Sequence, residues 1–220
     1  MTNARVFRAG PLAALMLIAV QAPVAAQVKL EAHVSPMVTG TFFLGDPPAR
    51  FAIHRQEASP LIVQNGQFDD AFGAGVNAGL RIADRFGLEG MIWWVPTELN
   101  ASAGLEHVNG TVDVNALMYG VTLAYYLPAF GRIEPFVGIG VGGETMSYSP
   151  ELAWERHTDL MGNAVLGANF WIADQLAIRF EGRDCLTRFD SEIEGVGGAT
   201  ENDLMISVGL TLRAGIGKSR

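Results

Sequence analysis

Between Phe72 and Ile82 the even positions read Phe, Ala, Val, Ala, Leu and Ile, and the odd positions read Gly, Gly, Asn, Gly and Arg. Strict alternation over that length is the period of a β-strand, whose side chains point to opposite faces in turn. Asp84-Arg85-Phe86-Gly87 predicts a tight reversal in which Gly87 supplies the positive φ. A second strand then sets Leu88, Gly90, Ile92 and Trp94 on one face and Glu89, Met91 and Trp93 on the other. Glycines share the polar face with Arg81 and Glu89, while the apolar face carries no charge. Small residues mixed with charges suit a crowded interior, and an uncharged apolar face suits lipid.

The same rule repeats along the chain. Gln27 to Leu44 alternates Val28, Leu30, Ala32, Val34, Pro36 and Val38 with Lys29, Glu31, His33, Ser35, Met37 and Thr39, and Pro36 predicts a local irregularity. Further strands are predicted at 112–127, 133–148, 160–172, 176–183 and 204–213. Asp46 to Asp70, Leu99 to Thr111, Pro150 to Asp159 and Leu186 to Asn202 read as long connections, and the reversals near Asp84, Pro128 and Asp174 as short ones. Eight strands of about 10 residues or more reach the length of a tilted membrane strand. Long and short connections alternate, so all short turns and both termini fall at one end, as an antiparallel up-and-down barrel requires. Aromatic residues gather at both strand ends: Phe86, Tyr125, Tyr126, Phe130, Phe170 and Trp171 beside the short turns, and Phe42, Phe43, Trp93, Trp94, Tyr148 and Trp154 opposite. Two such belts are favoured at the two membrane interfaces.

The N-terminus changes the compartment. Arg5 and Arg8 precede an apolar run, Leu12 to Val20, that is too short to span a bilayer, and Val24-Ala25-Ala26 offers small residues for cleavage. Residues 1–26 are therefore expected to be a signal peptide and 27–220 the exported barrel domain. The domain then holds 13 Lys and Arg against 23 Asp and Glu. That acidic balance argues against nucleic acid, which needs a basic face. Cys185 is the only cysteine, so no internal disulfide is possible.

Strands such as IEPFVGIGVGG, LAIRFEGRD and ISVGLTLRAG resemble the eight-stranded bacterial outer-membrane β-barrel family that includes the OmpA barrel, OmpX and OmpW. The resemblance runs from Gln27 to about Arg213 and implies an all-β, eight-stranded transmembrane barrel in the outer membrane. It implies outer-membrane lipid, lipopolysaccharide and the barrel-assembly machinery as partners of a monomer. One departure is that the last strand ends Leu210-Thr211-Leu212-Arg213 instead of on an aromatic residue. No cell-wall-binding domain follows it, so a tethering role is not expected.

The inward face carries the most informative chemistry. Lys29, Arg81, Arg179 and Arg213 face Glu31, Glu89, Glu134 and Glu181, with Arg183 higher up. Charges of both signs in a narrow barrel can pair, which makes their burial tolerable. A structural plug is the expected role, and a conducting gate the alternative, since eight strands leave room mainly for side chains. Gly138 to Gly143 matches a dinucleotide-binding pattern but lacks the helix that such a site needs, and Gly217-Lys218-Ser219 lacks the rest of a phosphate loop. His33 and Ser35 are spaced like the pair of an outer-membrane lipid A deacylase, yet the alternation turns both inward. His54, His107 and His157 lie on three of the long loops and are weak candidates for metal ligands; no cofactor and no metal are expected. Cys185 is expected to pack near the rim as a small residue. The four long loops, with Glu98 counted at the edge of the second, hold 13 acids against four arginines, enough to keep the rim soluble or to meet lipopolysaccharide phosphates through divalent cations. The function expected is a scaffold that presents acidic loops. The runner-up is a narrow channel for small or hydrophobic solutes, and the third reading is a lipid-modifying enzyme.

Overall fold

The computed structural model describes residues 30–44, 51–55, 58–103, 108–148, 157–189 and 199–216. They form ten strands: β1 Leu30–Phe43, β2 Phe51–Arg55, β3 Ala58–Phe68, β4 Ala71–Ile82, β5 Phe86–Ala103, β6 Val108–Tyr126, β7 Ile133–Tyr148, β8 His157–Ala173, β9 Leu176–Phe189 and β10 Ala199–Ile216. Apart from β2 and β3, each strand pairs antiparallel with its neighbour in sequence, and β1 pairs with β10 from Leu30↔Ile216 to Phe43↔Asp203. That last pairing closes an eight-stranded up-and-down barrel. Closure leaves none of the eight strands with an open edge, the condition for a sheet to sit in lipid.

The alternation seen in the sequence becomes two surfaces. Ile139, Val141, Leu166 and Ile206 point outward and are 69%, 66%, 65% and 58% exposed. Met118, Met161, Arg179 and Met205 point inward and are wholly buried. An apolar band around the whole circumference would drive aggregation in water; in a bilayer it faces hydrocarbon. Among the described residues no helix is long and apolar enough to cross a membrane. The crossing is made by strands.

The inward glycines make room for large lumenal side chains. A methyl group on Gly75 would lie 2.5 Å from Trp93 Cδ2, and one on Gly167 would lie 2.4 Å from Phe136 Cζ. Trp93 and Phe136 fill the lumen because their neighbours across the strand have no side chain.

Two local expectations are corrected. The β4–β5 turn takes its positive φ at Ala83 (52°) and Asp84 (59°), while Gly87 lies in β5 opposite Arg81. Gly87 falls two residues past the turn, and its missing side chain leaves space for Tyr126 Cε2, 2.9 Å from where a methyl would be. The stretch from Asp46 to Asp70 is also more than a polar loop. Strands β2 and β3 form a hairpin, and β3 continues beside β5 (Phe68↔Leu99 to Val63↔Ala103) beyond the last β4 partner, Ala74↔Trp94. Likewise β5 and β6 stay paired out to Ala103↔Val108, so the sheet rises past the reach of a membrane crossing at this end.

Candidate functional site

The lumen divides into two halves. At the turn end, β1, β4, β5, β7, β9 and β10 project charged side chains at alternate positions into one connected network. Arg179 is its centre: Nη2 donates to Glu89 Oε2 at 2.8 Å, Nε donates to Glu181 Oε2 at 2.9 Å, and the guanidinium stacks 4.1 Å from the Phe136 ring centre. Arg183 Nη2 donates to Glu181 Oε1 at 3.3 Å and Nη1 to Asn163 Oδ1 at 2.6 Å, while Asn77 Nδ2 donates to Glu181 at 3.2 Å. Nearer the turns, Arg81 Nη1 sits 2.8 Å from Glu134 Oε1, and Arg81 stacks on Tyr126 at 4.2 Å. Arg213 lies 3.7 Å from Glu31 and stacks on Trp171, also at 3.7 Å. Glu89 additionally accepts from the Tyr126 hydroxyl and stands 3.3 Å from His33 Nε2, a contact without hydrogen-bond alignment. Such opposed charges, desolvated together and hydrogen-bonded on several sides, make a rigid and mutually dependent set. A water-sized cavity at this end is lined by Glu31, His33, Arg81, Tyr126, Glu134 and Arg213, among others.

The loop-end half differs in kind. Met37, Met91, Met118, Met146, Met161 and Met205 all point inward and are buried, and these six are every methionine after residue 26. They pack with Trp93, Val95, Leu99, Val114, Phe43, Phe68 and Cys185 into one apolar cluster. Set among them are four buried carboxylates, Glu144, Asp159, Glu201 and Asp203. Glu144 and Asp159 are direct partners across β7 and β8, and Thr187 Oγ1 donates to Glu144 Oε2 at 2.7 Å. Both carboxylate oxygens of Glu201 and of Asp203 lack a hydrogen-bond partner.

A continuous apolar exterior, a closed antiparallel ring and a charged, filled interior are the features of a membrane barrel. The family model for the outer membrane protein beta-barrel domain matches residues 12–213. The chain belongs to that family. It is a protein of the bacterial outer membrane. Among solved structures, this outer-membrane barrel is similar to Neisserial surface protein A, at 12% identity and TM-score 0.53 over 82% of this chain and 96% of that one. It is similar to OprG from Pseudomonas aeruginosa at 16% identity and TM-score 0.52, over 84% and 95% of the two chains. It is similar to AlkL at 10% identity and TM-score 0.50, over 100% and 99%. These likenesses concern the fold. No curated protein sequence matches the barrel.

Of the site residues read from the sequence, Glu31, Arg81, Glu89, Glu134, Arg179, Glu181, Arg183 and Arg213 stand in the turn-end lumen, and Lys29 lies outside the described residues. His33 and Ser35 face inward as expected, with Ser35 Oγ 2.8 Å from Thr211 Oγ1. The side chains of His54, His107 and His157 lie outside the described residues. Among the described residues no three His, Cys, Asp or Glu side chains already surround one point. Two expectations change. Asp159 and Glu201, counted with the soluble loop charges, are only 6% and 0% exposed inside the barrel, because β8 and β10 begin earlier than their apolar runs suggest. Phe43, Trp93 and Tyr126 belong to the lumen instead of to the outer aromatic belts, being 8%, 0% and 3% exposed. Phe86, Phe130, Phe170, Phe42 and Trp94 do face outward. The loop-end constellation was missed, although its signal was present. Extending the inward register of β10 upward from Met205 reaches Asp203 and Glu201, and extending that of β7 from Gly142 reaches Glu144.

Proposed function

We propose that the chain works as an outer-membrane scaffold whose lumen is plugged and whose acidic loops meet the surroundings. The observation that carries this reading is Arg179, wholly buried and ion-paired to Glu89 on β5 and Glu181 on β9, so that one side chain ties opposite parts of the ring together. Ion passage would require these pairs to break where water cannot replace them. The four long connections face outward from the cell and the three short turns face the periplasm. Outer-membrane lipid and lipopolysaccharide are the partners of the monomeric barrel, and the barrel-assembly machinery inserts it. No catalytic role is assigned: His33 and Ser35 lie inside the barrel beside Glu89 and Thr211, away from lipid, which supports a non-enzymatic reading.

The test is conductance of the purified protein in planar bilayers, with negligible current expected. Steady wild-type channels would reject the plug. Surface proteolysis of intact cells should cut within 46–70, 98–111, 150–159 or 186–202, and cleavage at 128–132 would reverse the orientation. A second reading, a narrow channel for hydrophobic solutes, draws on the methionine-lined loop-end half, since methionine adapts to varied apolar ligands. Uptake of an apolar solute through a lateral route, with no ionic current, would favour it.

A further inference from the structure

Three observations meet at one level of the loop-end lumen. Cys185 Sγ lies 3.9 Å from Met205 Sδ, and neither residue has any solvent exposure. Asp203 is the direct cross-strand partner of Cys185, so the two side chains share the inward face. Asp203 is wholly buried, and both of its carboxylate oxygens lack a hydrogen-bond partner. The next inward carboxylate on β10, Glu201, is equally buried and equally unpartnered. The guanidinium one pairing step below, Arg183 opposite Met205, directs its two Nη groups to Thr122, Asn163 and Glu181 instead. Desolvated carboxylates without a donor or counter-charge are strongly unfavourable, so each is neutralised either by a proton or by a cation.

The sulfur pair narrows which cation. Thiolate sulfur binds zinc at about 2.3 Å, and at a tetrahedral angle two sulfurs at that distance stand about 3.8 Å apart. The observed separation matches that spacing. We propose that the loop-end lumen binds one thiophilic metal cation between Cys185 Sγ and Met205 Sδ, with Asp203 as the oxygen ligand and Glu201 and Glu144 supplying negative charge toward the loops. Among the described residues no three His, Cys, Asp or Glu side chains group as a metal site, so this set depends on the Met205 thioether. Thiolate with thioether selects soft ions such as Ag(I) and Cu(I) over oxygen-seeking Ca²⁺ or Mg²⁺. Binding displaces the Cys185 thiol proton to solvent, leaving the thiolate on the metal.

The test uses the folded barrel in detergent, stripped by chelator and titrated calorimetrically with Ag⁺ and, separately, with Ca²⁺. Elemental analysis after desalting counts the retained metal. One Ag⁺ per chain is expected, with no saturable Ca²⁺. Cys185→Ser and Met205→Leu should each weaken Ag⁺ binding by roughly tenfold or more. Heat-modified gel mobility reports barrel closure for every variant, and Met205→Leu nearly conserves volume, so a folded variant that loses Ag⁺ isolates the sulfur. Should Cys185→Ser not fold, Cys185→Ala takes its place. Absence of saturable Ag⁺ binding, or binding that ignores either sulfur substitution, overturns the proposal. So does a saturable Ca²⁺ site that Asp203→Asn abolishes and Cys185→Ser leaves alone.

Discussion

The two halves of the lumen are built on the same strands and the same inward register, yet they solve burial in opposite ways. At the turn end every described glutamate is matched by a cation: Glu134 by Arg81, Glu89 and Glu181 by Arg179, and Glu31 by Arg213. At the loop end the acids Glu201 and Asp203 stand among methionines with no partner for their oxygens. The contrast teaches that lumenal charge by itself says little about stability. A paired carboxylate is part of the structure that holds the ring shut, whereas an unpaired one opposes folding until something binds it.

The comparison predicts opposite signs for equivalent changes. Arg179→Ala takes from Glu89 its arginine partner and from Glu181 one of its two, Arg183 remaining, and should cost about 3–5 kcal/mol in urea titrations of the detergent-folded barrel. Glu89→Ala should raise bilayer conductance or lower stability, and adding Arg179→Ala to it should restore part of the loss, because the two side chains touch at 2.8 Å. Strict additivity of the two changes would show that the network is no unit.

Arginine on the outer face tests the frame shared by both halves. Val137→Arg or Ile178→Arg should cost about 2–4 kcal/mol if these positions meet mid-membrane lipid. Unchanged folding yield and gel mobility would mean that they do not. Gly167→Ala, which drives a methyl toward Phe136 beneath Arg179, should cost about 1–3 kcal/mol through overpacking at the turn end.

At the loop end the sign reverses. Glu201→Gln replaces an unpartnered buried carboxyl group with an amide that never ionises and should stabilise the metal-free barrel by about 1–3 kcal/mol. A loss of stability there would erase the distinction between the halves. Met161→Leu, a volume-conserving change in the apolar cluster, should shift stability by less than about 1.5 kcal/mol in either direction.

Much of this was legible in the chain itself. Alternation assigned Val137, Ile139 and Val141 to one face and Glu134, Phe136 and Gly138 to the other, because a strand has a period of two that a closed barrel cannot alter. Alternating long and short connections gave the strand order, since an up-and-down barrel pairs each crossing with the next. The residues of the turn-end network could be named from their type and parity alone.

What parity could not supply was pairing and height. Arg179 meets Glu89, 90 positions away, because β5 and β9 face each other across the lumen, and no local pattern encodes that approach. The strand ends were also beyond the sequence: once outside the lipid, β5, β6, β8 and β10 no longer need an apolar outer face, so their hydrophobic signal stops while their hydrogen-bonded ladder continues. Asp159, Glu201 and Asp203 therefore looked like the fringe of loops and became lumen only when the ladder carried them inside. The chain by itself determined which side of the wall each residue occupies. Only the closed ring decided which of them touch, because contact across a barrel depends on register between strands far apart in sequence.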